Sequence, residues 1–326
     1  MSEMSNSPVE TSLEREDEVI RDYSQEDYRK FWTGPGKTFL HKTECKIIQE
    51  ILPPSSKWFV DIGCGYGRLL PTYVDSHRQI VLVDYAVNAL EIASQRYCQE
   101  NIHFIAANAY HLPFRDEVFS VGLCVRLFHH MKAPQSFLNE FARIFHEGSS
   151  AIVSYSNKRN LLRILRYGLR CFRRDHEEVD ELLFITQPAY FAALSRNAGF
   201  GVQCTRATGF FDQILRLGSF FDRLLGRMPF FILPVALTEN IVDRTLGLIG
   251  LAPLHFALLR KETGTGKSSS EFGRQVNLID ILACPYCSST NLREQEKGFT
   301  CLGCGRIFPR RGKIFDFRCE GGHGNE

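Results

Sequence analysis

Between residues 55 and 156 the chain alternates short apolar runs with longer segments of mixed polarity. The runs begin at Trp58, Gln79, Ile102, Phe119 and Ala151, and the last four extend to Val83, Ala106, Val125 and Tyr155. Runs this short and continuous predict strands buried on both faces, as in a parallel sheet. Helices are predicted over Thr38–Leu52, ended by Pro53-Pro54, and over Arg68–Ser76, Ala86–Glu100, Ala133–Phe145 and Gln187–Ala198. With two later strands, Val202–Ala207 and Leu254–Leu259, the pattern predicts an α/β fold: a doubly wound, mostly parallel seven-stranded sheet covered by helices. Ligands of such sheets sit at the carboxyl ends of the strands.

The first strand runs into VDIGCGYG, Val60–Gly67. Glycines just past a buried strand let the backbone take positive φ and approach a ligand closely. Asp84 closes the second strand about twenty residues on, where a nucleoside-binding unit places a carboxylate for ribose hydroxyls. Its competing role is to cap the next helix. A dinucleotide fingerprint, G-x-G-x-x-G, needs its third glycine one residue later than Gly67, and Arg68 follows instead.

Composition narrows the class without fixing it. At 326 residues, 44% hydrophobic and 23% charged, the chain reads as a soluble globular protein, and a net charge of +2 marks no general nucleic-acid binder. The acidic, Ser-rich tail 1–24 has no apolar leader and too little apolar area to fold, so it is expected to be disordered. No run is long enough for a transmembrane helix. The expected location is cytoplasmic, with peripheral contact to a membrane open. Two segments bear on that contact. Lys158–Arg174 repeats arginine and leucine at helical spacing, which fits an anionic membrane, RNA or a solvated outer helix. The Phe- and Leu-rich Phe210–Ala236 lies in an insertion, about 208–250, before the last strand, where it can cover an apolar substrate or pack as interior helices. Tyr28, Phe31 and Trp32 are expected to dock the first helix on the core, with a ligand lid as the alternative.

Of eleven cysteines, four form two C-x-x-C pairs, Cys284/Cys287 and Cys301/Cys304, thirteen residues apart. In a chain without a secretory signal this spacing fits a four-thiolate structural zinc site better than disulfides. Residues 262–275 form a flexible linker by composition, so 25–261 and 276–318 are expected to be separate domains, followed by a short tail, 319–326. Cys319 lies beyond the pattern and has no assignment.

Taken together, VDIGCGYG, Asp84, Ala107–Phe114 (ANAYHLPF), Phe128–Met131 (FHHM) and Phe137–Arg143 (FLNEFAR) resemble the class I S-adenosylmethionine (SAM) methyltransferases of the type 11 group. The resemblance covers roughly residues 55–156 and implies a Rossmann-like fold with SAM as methyl donor. It implies that backbone groups at Gly63 and Gly65 approach SAM, that Asp61 holds its amino group, and that Asp84 takes the ribose hydroxyls. Tyr85 would pack on adenine and Asn108 would accept from its N6 amine, although the family commonly has an acid at that position. Cys64, Gly67, Ala109 and Arg126 complete the implied cofactor-binding set. His129 and His130 follow the fourth strand, near where the methyl should point, and either imidazole can take a proton from the acceptor. The tail, LIDILACPYC and then FTCLGCGRIFPRRGKIFDF, resembles the small zinc-ribbon activators that partner tRNA, rRNA and protein methyltransferases.

The acceptor stays open at this level. The Phe-rich insertion favours a small-molecule or lipophilic, quinone-like acceptor, and the ribbon, the basic segment and the paired histidines favour tRNA or rRNA. A catalytically silent SAM-fold module, with the ribbon as its working surface, is the alternative of another class.

Overall fold

A computed structural model describes Tyr23 and residues 27–157, 160–161, 164, 186–210, 241–262 and 277–318. The acidic tail except Tyr23, the linker 263–276, Cys319, the segment 211–240 and nearly all of 158–174 lie outside the described residues. No described helix is long and apolar enough to cross a membrane.

Each apolar run is a strand. β1 (Ser56–Ile62), β2 (His77–Asp84), β3 (Ile102–Ala106), β4 (Phe119–Cys124) and β5 (Phe145–Ser156) are parallel, while β7 (Leu254–Lys261) runs antiparallel between β5 and β6 (Phe200–Thr208). β5 starts earlier than its apolar run because Phe145 already pairs with Phe119, and the ladder shifts register before Val121. Along β1, Trp58, Val60 and Ile62 face one apolar layer and Phe59 the other, the period-two alternation that both-face burial demands.

The helices keep their expected places but not their ends. α1 (Pro35–Ile51) begins with proline at its first turn, where the missing N–H costs nothing, and stops before Pro53. α2 (Val87–Arg96), α3 (Pro134–Arg143) and α4 (Pro188–Asn197) follow, with α5 at 241–248 and a capped turn, α6 (Leu278–Ile281). The helix expected over Arg68–Ser76 is only a 3-10 turn at Leu70–Thr72. Pro71 removes a helical donor there, and the Tyr73 hydroxyl is held by Asp61.

The sheet does not end at seven strands. Its order among the described residues is β6-β7-β5-β4-β1-β2-β3-β11-β10-β9-β8, eleven strands, because the C-terminal segment adds β8 (Leu292–Gln295), β9 (Gly298–Cys301), β10 (Ile307–Arg311) and β11 (Ile314–Asp316). β11 lies parallel to β3, with Ile314, Phe315 and Asp316 opposite Phe104, Ile105 and Ala106. An unpaired β3 would expose a row of backbone donors and acceptors, which β11 satisfies. Cysteine-module residues Leu282, Phe299 and Phe317 share one apolar cluster with Phe114 and Phe119. The Arg115 amide donates to the Ile281 carbonyl (2.9 Å) and its guanidinium to that of Leu282 (3.2 Å). The two segments expected to be separate domains therefore share a sheet and a core.

Candidate functional site

A cavity opens at the carboxyl ends of β1, β2 and β4, where β1 sits between neighbours reached by connections in opposite directions. In open α/β sheets this reversal point leaves a crevice. The glycine turn forms its floor. Gly63 and Gly65 both have positive φ, 76° and 55°, and a Cβ on Gly63 would lie 2.9 Å from Cβ of Leu127. The Gly65 amide donates to one Asp84 carboxylate oxygen (2.7 Å), while the other accepts from the Ala86 amide (2.9 Å). Asp84 thus braces the glycine turn and the start of α2 while lining the cavity.

Asp61, also in the wall, is 2% exposed and accepts from the Tyr73 hydroxyl. Burial, against the pull of that hydrogen bond and with help from the charge of Asp84, raises its pKa to about 7. Arg126, just past β4, takes the left-handed conformation (φ 66°), held by its amide donating to Ser154 Oγ (2.8 Å). Its guanidinium and that of Arg68 both bind Glu44 on α1, at 2.6 and 2.7 Å, and Arg68 also packs 3.5 Å from the centre of the Trp32 ring. Glu44 is fully buried and its partners are 20% and 11% exposed, so one carboxylate faces two largely desolvated cations. Burial opposes ionisation of Glu44, yet the two arginines hold its pKa below the usual value.

The aromatic segment before α1 closes over this floor. Tyr28 and Trp32, on a 3-10 turn (Tyr28–Trp32), line the cavity, and a Cβ on Gly65 would meet the Tyr28 ring at 3.7 Å. Of the three rings expected to dock the first helix, with a ligand lid as the alternative, Tyr28 and Trp32 border the cavity and Phe31 is exposed outside it. Tyr23 joins them, its hydroxyl 3.2 Å from Nε2 of His130.

Asp61, Gly63, Cys64, Gly65, Asp84, Tyr85, Ala109, Arg126 and His130 all border the cavity. Three expected residues stand outside the lining. Gly67 backs onto Tyr97, whose hydroxyl donates to its carbonyl (3.3 Å). The amide oxygen of Asn108 accepts from the Tyr110 amide (2.8 Å) within a local turn. His129 packs beside His130, ring centres 4.0 Å apart, but behind it. Sequence reasoning missed Tyr23, Glu44 and Arg68 as site residues. Only Arg68, next to the glycine turn, carried a local signal; Glu44 is one polar position of a helix among several.

The second candidate centre is the cysteine cluster. The four Sγ atoms of Cys284, Cys287, Cys301 and Cys304 lie within 4.8 Å of one another, with Cys284–Cys304 at 3.7 Å and Cys287–Cys301 at 3.5 Å. Tetrahedral Zn–S bonds of about 2.3 Å put sulfurs roughly 3.8 Å apart, so the donor set fits zinc. Each pair sits on a matching knuckle, the Ser288 amide donating to the Cys284 carbonyl and the Gly305 amide to that of Cys301, both at 2.9 Å.

Comparison with known proteins gives one family match: residues 60–153 fit the model described as "Methyltransferase domain" (Methyltransf_11). Among curated proteins, the human "Probable tRNA methyltransferase 9B" is 32% identical over 111 residues, 33% of this chain and 23% of that one. The 2-phytyl-1,4-naphtoquinone methyltransferase of Nostoc is 40% identical over 70 residues, 19% and 31% of the two chains. The sterol 4-C-methyltransferase strm-1 of Caenorhabditis elegans is 24% identical over 118 residues, 35% of each. The chain spans less than half the length of these relatives. Among solved structures, a complex between the Haloferax volcanii Trm112 methyltransferase activator and a protein described as a methyltransferase matches with TM-score 0.51 at 15% identity, covering 75% of this chain and all of that one. A SAM-dependent methyltransferase of Thermotoga maritima matches with TM-score 0.50 at 16% identity, covering 74% and 98%. At these identities the solved structures speak for the fold.

Proposed function

We propose that this chain, which carries a methyltransferase domain over residues 60–153, is an enzyme that transfers the methyl group of SAM to a lipophilic small-molecule acceptor. The observation that carries the reading is the make-up of one cavity: two carboxylates and a glycine turn beside an aromatic and apolar wall of Tyr23, Tyr28, Trp32, Leu127 and Met131. The polar set suits SAM. Asp84 accepts from ribose hydroxyls, Tyr85 and Ala109 flank adenine, and Gly63, Cys64 and Gly65 bring backbone groups close. Asp61 takes the ammonium group, and Arg126 with Arg68 takes the carboxylate, since Glu44 alone shares two guanidinium groups.

Bound SAM supplies an already activated methyl group, so no protein nucleophile is required. The residues around it hold the acceptor in line and keep water out. Tyr28 and Trp32 cover the turn, and the rings present a planar, apolar face to the acceptor. His130 accepts the proton released by an attacking oxygen, nitrogen or carbon acid, and the Tyr23 hydroxyl orients its ring. The four cysteines would hold a structural zinc ion, which would fix the ribbon.

A second reading, an RNA acceptor, is supported by the place of the ribbon at the β3 edge and by the similarity to a relative named as a tRNA methyltransferase. The two differ in salt response: phosphate contacts weaken steeply with salt and apolar burial does not. The test is tritiated-SAM labelling of a lysate resolved into lipid, RNA, protein and small-molecule fractions. The expected label is in the lipid or small-molecule fraction, and label in RNA selects the second reading. Calorimetry with Asp84→Ala checks the site: SAM binding should be lost or fall more than tenfold, and a parent chain that binds no SAM removes the enzyme reading.

A further inference from the structure

Arg318, the last described residue, reaches from the ribbon to the wall of the SAM cavity. Its guanidinium grips Asp316 in a fork, Nε to Oδ1 at 2.9 Å and Nη2 to Oδ2 at 2.8 Å, and donates from Nη1 to the Tyr85 carbonyl (3.4 Å). The same guanidinium lies 5.5 Å from the centre of the Tyr85 ring, within cation–π range. Both members of the pair are nearly buried, at 7% and 6% exposure, and Arg311 adds a contact to Asp316 at 3.3 Å. Buried forks of this kind set geometry more than they add net stability.

The register makes this a coupling to the cofactor end of the sheet. Asp84 pairs with Ala106, and Ala106 pairs on its other side with Asp316. Backbone bonds continue the row, the Ala107 amide to the Asp84 carbonyl (3.1 Å) and the Phe317 amide to the Ala106 carbonyl (2.7 Å). The ribbon therefore ends two strands from Asp84, at the same level, with one side chain crossing to Tyr85. Both Asp84 and Tyr85 line the cavity.

We propose that Arg318 is a positioning residue for the donor site: acting through Tyr85, it makes SAM affinity depend on the docked ribbon. This rests on the assignment of the Asp84–Tyr85 end to SAM. Coupled sites typically change each other's affinity by about fivefold or more. Calorimetric titration of the full-length zinc-loaded chain with SAM is the test, run on the parent, Arg318→Ala, Tyr85→Ala and the double variant, with zinc content and melting temperature recorded. Arg318→Ala should raise the Kd for SAM at least about fivefold, and the double variant should lose less than the sum of the two single losses, since Tyr85→Ala removes the ring contact but keeps the carbonyl. Affinity unchanged in Arg318→Ala, or fully additive losses in the double variant, overturns the proposal. If Arg318→Ala loses zinc or folds poorly, Arg318→Lys, which keeps charge against Asp316 but cannot fork, is measured in its place and should still bind SAM more weakly than the parent. A parent that binds no SAM refutes the donor-site assignment instead, so the two failures are told apart.

Discussion

At the scale of single residues, Asp61 has the most to say about conditions. Its pKa, raised to about 7 chiefly by burial, means that the folded chain holds a proton there that the unfolded chain releases near 4. A raised pKa stabilises the fold below the unfolded value, and that contribution fades as pH climbs through about 7. With Asp61 in its proposed role, SAM affinity should run the other way, because the ammonium group needs the carboxylate. Binding should weaken by up to about tenfold per pH unit below 7 and level off above it. Calorimetry across this range should show the slope in the parent and a flatter, weaker profile in Asp61→Asn; an equal slope in both would remove Asp61 from the ammonium role. Asp84 has two places at once: it accepts from the Ala86 amide just before α2 and lines the cavity. Asn108, whose amide oxygen accepts from the Tyr110 amide, stands outside that lining.

Among elements, Glu44 is the tie. It joins α1 to the segment after the glycine turn and to the end of β4 through Arg68 and Arg126. A depressed carboxyl pKa gives stability that is present above the unfolded value and lost as pH falls through the folded one. Glu44→Gln leaves two cations without their counter-charge and should cost about 3–5 kcal/mol at neutral pH. Denaturant unfolding at pH 7 and near pH 4 checks this: the cost should shrink at the lower pH, and a pH-independent cost would point to packing instead. The elements themselves were largely visible in the apolar pattern, because strands buried on both faces leave continuous runs. The misplaced helix after the glycine turn was not, because one proline and one tertiary hydrogen bond at Tyr73 outweighed a permissive local sequence.

For the molecule as a whole, the shared sheet predicts shared stability. Both tryptophans, Trp32 and Trp58, lie outside the cysteine module, and Trp58 is buried in the cluster that cysteine-module residues also join. Both tryptophan probes therefore sit in the methyltransferase part, and Trp58 also senses the shared cluster. The expected zinc content is about one ion per chain, as a four-thiolate site implies. Chelation should lower the denaturant midpoint read by tryptophan, as loss of bound metal from a folded state must. An unmoved tryptophan midpoint with zinc removed would show two independent units.

The sequence alone determined the strand pattern, the glycine turn with Asp84, and the paired cysteines, because burial period, backbone freedom and ligand spacing are local properties. Only the tertiary structure decided what closes the cavity and what the cysteine module leans on. The Tyr23–His130 contact, the Glu44 arginine pair and the β3–β11 ladder join residues far apart in the chain. Such pairings depend on which edges and buried charges are left unsatisfied once the sheet has formed, and no short window of sequence records that.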